Sequence, residues 1–237
     1  MDFDTVDKLM YAGVETGVFP GAVLLAAVGD DIRFFEAYGV TNLFLRQATT
    51  VETVFDLASL TKPLATTVAL MLLESRGRLD TDAAIGSYLP WMASSAAAAA
   101  TVEQLLRHSA GLPAYRPFYT RLREIDPPER QALLQQLLAG TAPETDAAGP
   151  PVYSDLGFMI LGYLVEALAR LRLDRFVTQH IYVPLGIGVA GYPRLGFVDR
   201  LEIPEVDNVA ATEICHWRRR ALQGVVHDDN AYAMGGV

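Results

Sequence analysis

Leu64, Val68, Leu70, Met71, Leu72 and Leu73 make residues 64–73 a strongly apolar helical stretch that has to be buried, and a fold must be built around it. At its head stand Ser59 and Lys62, in Val54-Phe-Asp-Leu-Ala-Ser-Leu-Thr-Lys-Pro63. The chain has only two lysines, Lys8 and Lys62, and seven serines, so a charged lysine leading a buried helix needs a reason. Residues three apart on a helix share a face and lie ~4.5 Å apart along the axis. The pattern predicts an extended approach and then one helix over 59–76, stopped by Gly77, with Arg76 and Arg78 near its negative end.

The rest of the chain places this helix in an α/β (α+β) fold. Val6, Leu9, Met10, Gly13 and Val14 give residues 4–16 one apolar side. Residues 21–28 and 32–38 read as strands, and Gly29-Asp30-Asp31 suits a tight hairpin. Helical patterns then dominate. Thr101-Val-Glu-Gln104 is a capping box. Pro127-Pro128 opens a helix with Leu133, Leu134, Leu137 and Leu138 on its apolar face. Another runs from about 156 to 171, and Asp174 is expected to cap one more, to about 183. Residues 96–100 read as a helical or loop spacer. From 186 the helical period is lost, and residues 208–214 suit a strand. The expectation is an antiparallel sheet flanked by helices, with an all-helical insertion. Residues 1–78 would begin the α/β domain, 79–190 would be mainly helical, and 191–237 would return to the sheet. One hairpin and a late strand make a small sheet for 237 residues.

Composition excludes several functions. A net charge of −9 and a pI near 4.9 argue against a nucleic-acid binder. Arg218-Arg219-Arg220 is short and isolated, and reads as a solvated turn. The single cysteine, Cys215, excludes an intrachain disulfide. No apolar run approaches the ~20 residues of a membrane span. The acidic N-terminus lacks a secretory pattern, so a cytoplasmic protein is expected, or a periplasmic one if the N-terminus is incomplete. His108, His180 and His216 are scattered. Cys215, His216, His227 and Asp228 fit no zinc spacing, so neither metal nor cofactor is expected. Trp91, Trp217 and Tyr115 could line either core or cleft.

A serine in a first helical turn sits where free N–H groups and the helix dipole favour developing negative charge, by ~0.3–1 kcal/mol. A serine hydroxyl still needs a base to become a nucleophile. On spacing alone, the simpler reading is preferred: Ser59 an N-cap and Lys62 a surface residue. Two further segments add context, Thr101-Val-Glu-Gln-Leu-Leu-Arg-His-Ser-Ala-Gly-Leu-Pro113 and Tyr153-Ser-Asp-Leu-Gly-Phe-Met-Ile-Leu-Gly162. With Phe55-Asp-Leu-Ala-Ser-Leu-Thr-Lys-Pro63 and Gln223-Gly-Val-Val-His-Asp-Asp-Asn-Ala-Tyr-Ala-Met-Gly-Gly236 they occur in the expected order. Together they resemble the serine β-lactamase-related superfamily: class C β-lactamases, penicillin-binding D-amino-acid peptidases and esterases of that fold. The resemblance spans nearly the whole chain.

The resemblance implies a serine hydrolase working by two-step acyl transfer on a small ester, amide, β-lactam or D-amino-acid peptide. Ser59 would be the nucleophile, Lys62 its partner and Tyr153 the general base. A free phenol titrates near ~10, so such a base needs a neighbouring cation, and Lys62 is the obvious one. Two departures stand out. Asp155 replaces the family's usual asparagine; it would either hold Lys62 protonated or cap the following helix at the Phe158 N–H. The family's third motif, Lys-Thr-Gly or His-x-Gly, does not follow, and His227-Asp228 lacks the pattern. The expectation is therefore a fragment or truncated product lacking C-terminal strands. The alternative to an enzyme is a catalytically incompetent or ligand-binding relative. Oligomeric state is open, and an unpaired sheet edge would favour association.

Overall fold

The computed structural model describes residues 3–146, 149–187 and 208–234. The chain divides into two compact units, residues 1–56 with 202–227, and residues 57–201 with 228–237.

In the first unit, α1 (Asp4–Glu15) precedes a hairpin of β1 (Gly21–Val28) and β2 (Asp31–Gly39), as the apolar pattern predicts. Leu25 pairs with Phe35, and Ala27 with Ile32 beyond a register shift at Ala26. Tyr38 on β2 is buried, and its hydroxyl donates to Asp7 Oδ1 at 2.7 Å, tying α1 to the hairpin. The late strand begins three residues after its expected start: β3 (Ala211–Cys215) pairs antiparallel with β4 (Arg220–Gln223), which the pattern did not reveal. The arginine triplet is not simply solvated, because the Arg218 guanidinium donates to the carbonyls of Val226 and His227. Cys215, Leu222 and Val225 form the small core behind this second hairpin.

The second unit holds the main core. The expected helix over 59–76 is three pieces: a 3-10 turn at Ala58–Leu60, a π-wound segment at Lys62–Thr67, and α2 (Val68–Ser75). Pro63 explains the break. It has no N–H to donate, and in a continuous α-helix its ring would meet the carbonyl of Ser59, four residues back. The Leu64 carbonyl takes a hydrogen bond from the Tyr182 hydroxyl instead, at 2.9 Å. Below the break, Leu70 and Leu73 are buried.

α2 shares one core with α3 (Val102–Leu106), α4 (Pro127–Ala139), α5 (Asp155–Ala169) and α6 (Leu173–Val177); α5 and α6 pack directly on α2, and α3 on α5. The Thr101–Gln104 capping box forms reciprocally at 3.1 and 2.9 Å. Leu134 and Leu138 of α4 and Leu156, Ile160 and Leu164 of α5 join one cluster with Leu105 and Phe176. Each such buried side chain contributes about 1.5–3 kcal/mol over its exposed state. Asp174 does not cap α6. Arg172 occupies that position, and Asp174 accepts from its Nε at 3.2 Å. Residues 96–100 form turns that bury Ala97 and Ala100. Trp91 stands edge-on to Tyr163 at 5.6 Å, at the margin of this core. A last helix, α7 (Asp229–Ala233), is anchored by buried Asn230, which bonds the Arg116 carbonyl and the Tyr119 N–H. Among the described residues, no helix is long and apolar enough to cross a membrane. The stretch 188–207, where the helical period fades, lies outside the described residues, as do residues 235–237.

Candidate active site

Ser59, Lys62, Tyr153 and Asp155 all lie in the second unit. Ser59 sits in the 3-10 turn and is exposed. The preceding residue, Ala58, has φ +45°, a left-handed conformation uncommon for a residue with a Cβ. Such strain costs ~1–3 kcal/mol and collects at functional sites. The π-wound segment that follows is a second irregularity of that kind.

Lys62 is the hub. Its ammonium donates to Ser59 Oγ at 3.0 Å and pairs with Asp155 Oδ1 at 2.6 Å. It also lies over the Tyr153 ring, 5.0 Å from its centroid, and 5.8 Å from the centroid of Phe158. Its side chain is only 15% exposed. Burial alone would push the ammonium toward neutrality, but Asp155 and then Tyr153 outweigh it and raise the pKa above the ordinary 10.5. Lys62 is therefore held as a cation at neutral pH.

Asp155 faces Lys62 rather than capping α5. The cap is Ser154, whose Oγ accepts from the Gly157 N–H at 3.4 Å. The same hydroxyl donates to the Pro113 carbonyl at 2.7 Å, and the Asp155 N–H donates to the Ala114 carbonyl at 2.9 Å. Leu156 is buried directly behind, so Tyr153 and Asp155 are held at the mouth of α5 by core packing and by the 108–114 loop.

Tyr153 is 51% exposed. Nearby Tyr115 is a poor candidate for a base, because burial, then Asp228, Tyr119, Asp229 and Asp155, push its hydroxyl up to about 12. The sequence reading missed His108, which it treated as scattered. Its ring lies 4.5 Å from that of Tyr153 and 5.2 Å from that of Phe158, and Nδ1 accepts from the Ser154 N–H at 3.0 Å. A signal was present: histidine is among the residues enriched at left-handed positions, and His108 closes α3 with φ +56°. Among the described residues, no group of three or more His, Cys, Asp or Glu side chains is placed to hold a metal.

The beta-lactamase family model matches residues 6–195. The chain belongs to the beta-lactamase family. This is a family of serine hydrolases that also embraces peptidase and amidase relatives. An Escherichia coli (strain K12) protein provisionally named a D-alanyl-D-alanine carboxypeptidase is 31% identical, over 98% of this chain and 58% of its own length. A Bacillus subtilis (strain 168) protein named N-acetylmuramyl-L-alanine amidase is 32% identical, over 98% and 57%. Among solved structures, a beta-lactamase from Sulfitobacter sp. EE-36 superposes with a TM-score of 0.72 at 23% identity, covering 97% of this chain and 59% of that one. The octameric penicillin-binding protein homologue from Pyrococcus abyssi gives 0.71 at 20% identity, covering 95% and 51%. These superpositions establish the beta-lactamase fold. The chain spans a little over half the length of the curated relatives it matches.

Proposed function

We propose that the second unit carries the nucleophile half of a two-step acyl transfer on an ester or amide. Ser59 Oγ attacks the carbonyl carbon and its proton passes to the Tyr153 phenolate; the phenol so formed protonates the leaving group, and water, giving a proton to the phenolate, then releases the acyl group while Ser59 Oγ regains its proton. Lys62 is a fixed positive charge that stabilises the forming alkoxide, and Asp155 keeps it charged. The Ser59 N–H, in a first helical turn without an intrahelical acceptor, serves as one oxyanion donor, a role typically worth ~2.7–4 kcal/mol. The observation that carries the reading is a single cation bonded to the Ser59 hydroxyl at 3.0 Å and to the Asp155 carboxylate at 2.6 Å.

The names of the two curated relatives make amides of D-alanyl and N-acetylmuramyl peptides the first substrates to try. β-Lactams are cyclic amides of the same electrophilic type. Intact-protein mass after incubation with a fluorophosphonate, and separately with a fluorescent penicillin, tests the reading. One adduct per chain is expected with at least one probe and none on Ser59→Ala. Absence of an adduct with both probes would leave a ligand-binding relative that does no acyl chemistry.

A further inference from the structure

His108 touches the site from a direction the acyl-transfer scheme does not use. Its backbone is left-handed, with φ +56°, at the end of α3. Its carbonyl accepts the Val152 N–H at 3.0 Å, and its Nδ1 accepts the Ser154 N–H, also at 3.0 Å. One residue thus grips the backbone on both sides of Tyr153. Its ring lies against the Tyr153 ring at 4.5 Å and 35°. The Tyr153 side chain, half exposed, takes its direction from this contact and from Lys62, 5.0 Å from its ring centroid.

An imidazole nitrogen that accepts an N–H carries no proton, so His108 is the neutral tautomer with its hydrogen on Nε2. Protonating Nδ1 would set one donor against another at the Ser154 N–H and introduce a cation close to Lys62. We propose that His108 is the positioning residue for Tyr153, and that only its neutral imidazole holds the phenol in place. The proposal rests on the reading of Tyr153 as the base.

The surroundings favour the neutral form. Burial and then the Lys62 charge lower the pKa of His108 from the ordinary 6.5, against the opposing pull of Asp155. On its own helix, Arg107 is engaged with Glu103 at 3.1 Å. Because the folded value is depressed, the neutral clamp is intact above 6.5 and is lost as pH falls through the folded value.

His108→Asn separates the roles. Asparagine tolerates the left-handed backbone and presents Oδ1 as an acceptor, but has neither a ring nor a titration in this range. The experiment follows the rate of Ser59 labelling by a fluorophosphonate from pH 4.5 to 9, with thermal melting as the folding control. In the wild type the rate should fall on an acid limb below 6.5. In His108→Asn that limb should vanish and the plateau rate should drop between about 10- and 100-fold, the scale of a misplaced catalytic group. An unchanged plateau with the same limb overturns the proposal. So does a slower variant that keeps the limb, since His108 would then act only as scaffolding. A second readout needs no activity: 3-fluorotyrosine at position 153 should titrate with His108 in the wild type and not in His108→Asn. A fluorine signal that stays still through the acid range, or moves alike in both proteins, also overturns it. Failure of wild-type Ser59 to label at any pH with either the fluorophosphonate or the fluorescent penicillin defeats the acyl-transfer reading instead, and the fluorine titration still decides what His108 does.

Discussion

Lys62 owes its charge to its neighbours. Burial works against the ammonium, and Asp155 together with Tyr153 reverses that effect and raises its pKa. The stability this contributes is fully present below 10.5, the unfolded value, and is lost as pH rises through the folded one, so at neutral pH the pair supports the fold in full. Asp155→Asn keeps a hydrogen-bond acceptor and removes the charge. The pKa of Lys62 should fall, carrying the alkaline limb of Ser59 labelling to lower pH. An unchanged rate and pH profile would remove Asp155 from the electrostatics of the site. Asp155→Ala also removes the acceptor and leaves a largely buried ammonium short of a partner. That should cost about 1–3 kcal/mol of stability, read from the midpoint of urea unfolding.

Among the elements, the loop from His108 to Ala114 matters more than its length suggests. It bonds Val152, Ser154 and Asp155 in turn, and so fixes the entry of α5 opposite Lys62. Gly111 makes its tight course possible: φ is +73°, and a Cβ would lie 2.1 Å from the Thr145 carbonyl oxygen. Gly77 has a similar φ of +66°, yet nothing lies within 4 Å of the corresponding position. Gly77→Ala should therefore cost only the left-handed penalty, ~1–2 kcal/mol. Gly111→Ala adds a backbone clash and should cost well above that, with a fall in Ser59 labelling because Tyr153 and Asp155 shift. Equal melting temperatures for the two variants would contradict this picture of the loop. The contrast also marks what could be read from sequence. Periodicity and caps located α1, the β1–β2 hairpin, α3, α4 and α5, because these elements are stabilised by short-range patterns. The 59–76 stretch was read as one helix because its apolar pattern is continuous, whereas Pro63 and the strained Ala58 divide it. His108 escaped notice because its partners, Tyr153 and Ser154, are distant in sequence and meet it only through the packing of α3 against α5.

On the scale of the whole molecule, the two units differ in how completely they bury apolar surface. The second encloses a continuous core running from Ala65 to Ala233. In the first, the cross-strand partners Leu25 and Phe35 are 49% and 39% exposed, and Ile32, opposite Ala27, is 55% exposed. Residues paired across a hairpin share a face, so these side chains form an apolar patch on a two-stranded sheet. Isolated two-stranded hairpins are marginal in water, and the free edges of β1 and β2 among the described residues invite pairing with another chain. An exposed face of this kind on a monomer marks an interaction site or an aggregation liability. The 237-residue chain should accordingly self-associate as its concentration rises, through the hairpin rather than the helical unit. Light scattering coupled to size-exclusion chromatography would show a concentration-dependent mass, and Leu25→Lys combined with Phe35→Lys should return it toward 25.8 kDa. Ser59 labelling should survive these changes, because Ser59, Lys62, Tyr153 and Asp155 all belong to the other unit. A mass that stays monomeric in the wild type at every concentration would mean that this face does not drive association. Loss of labelling in the double variant would mean that the hairpin supports the site as well as the fold.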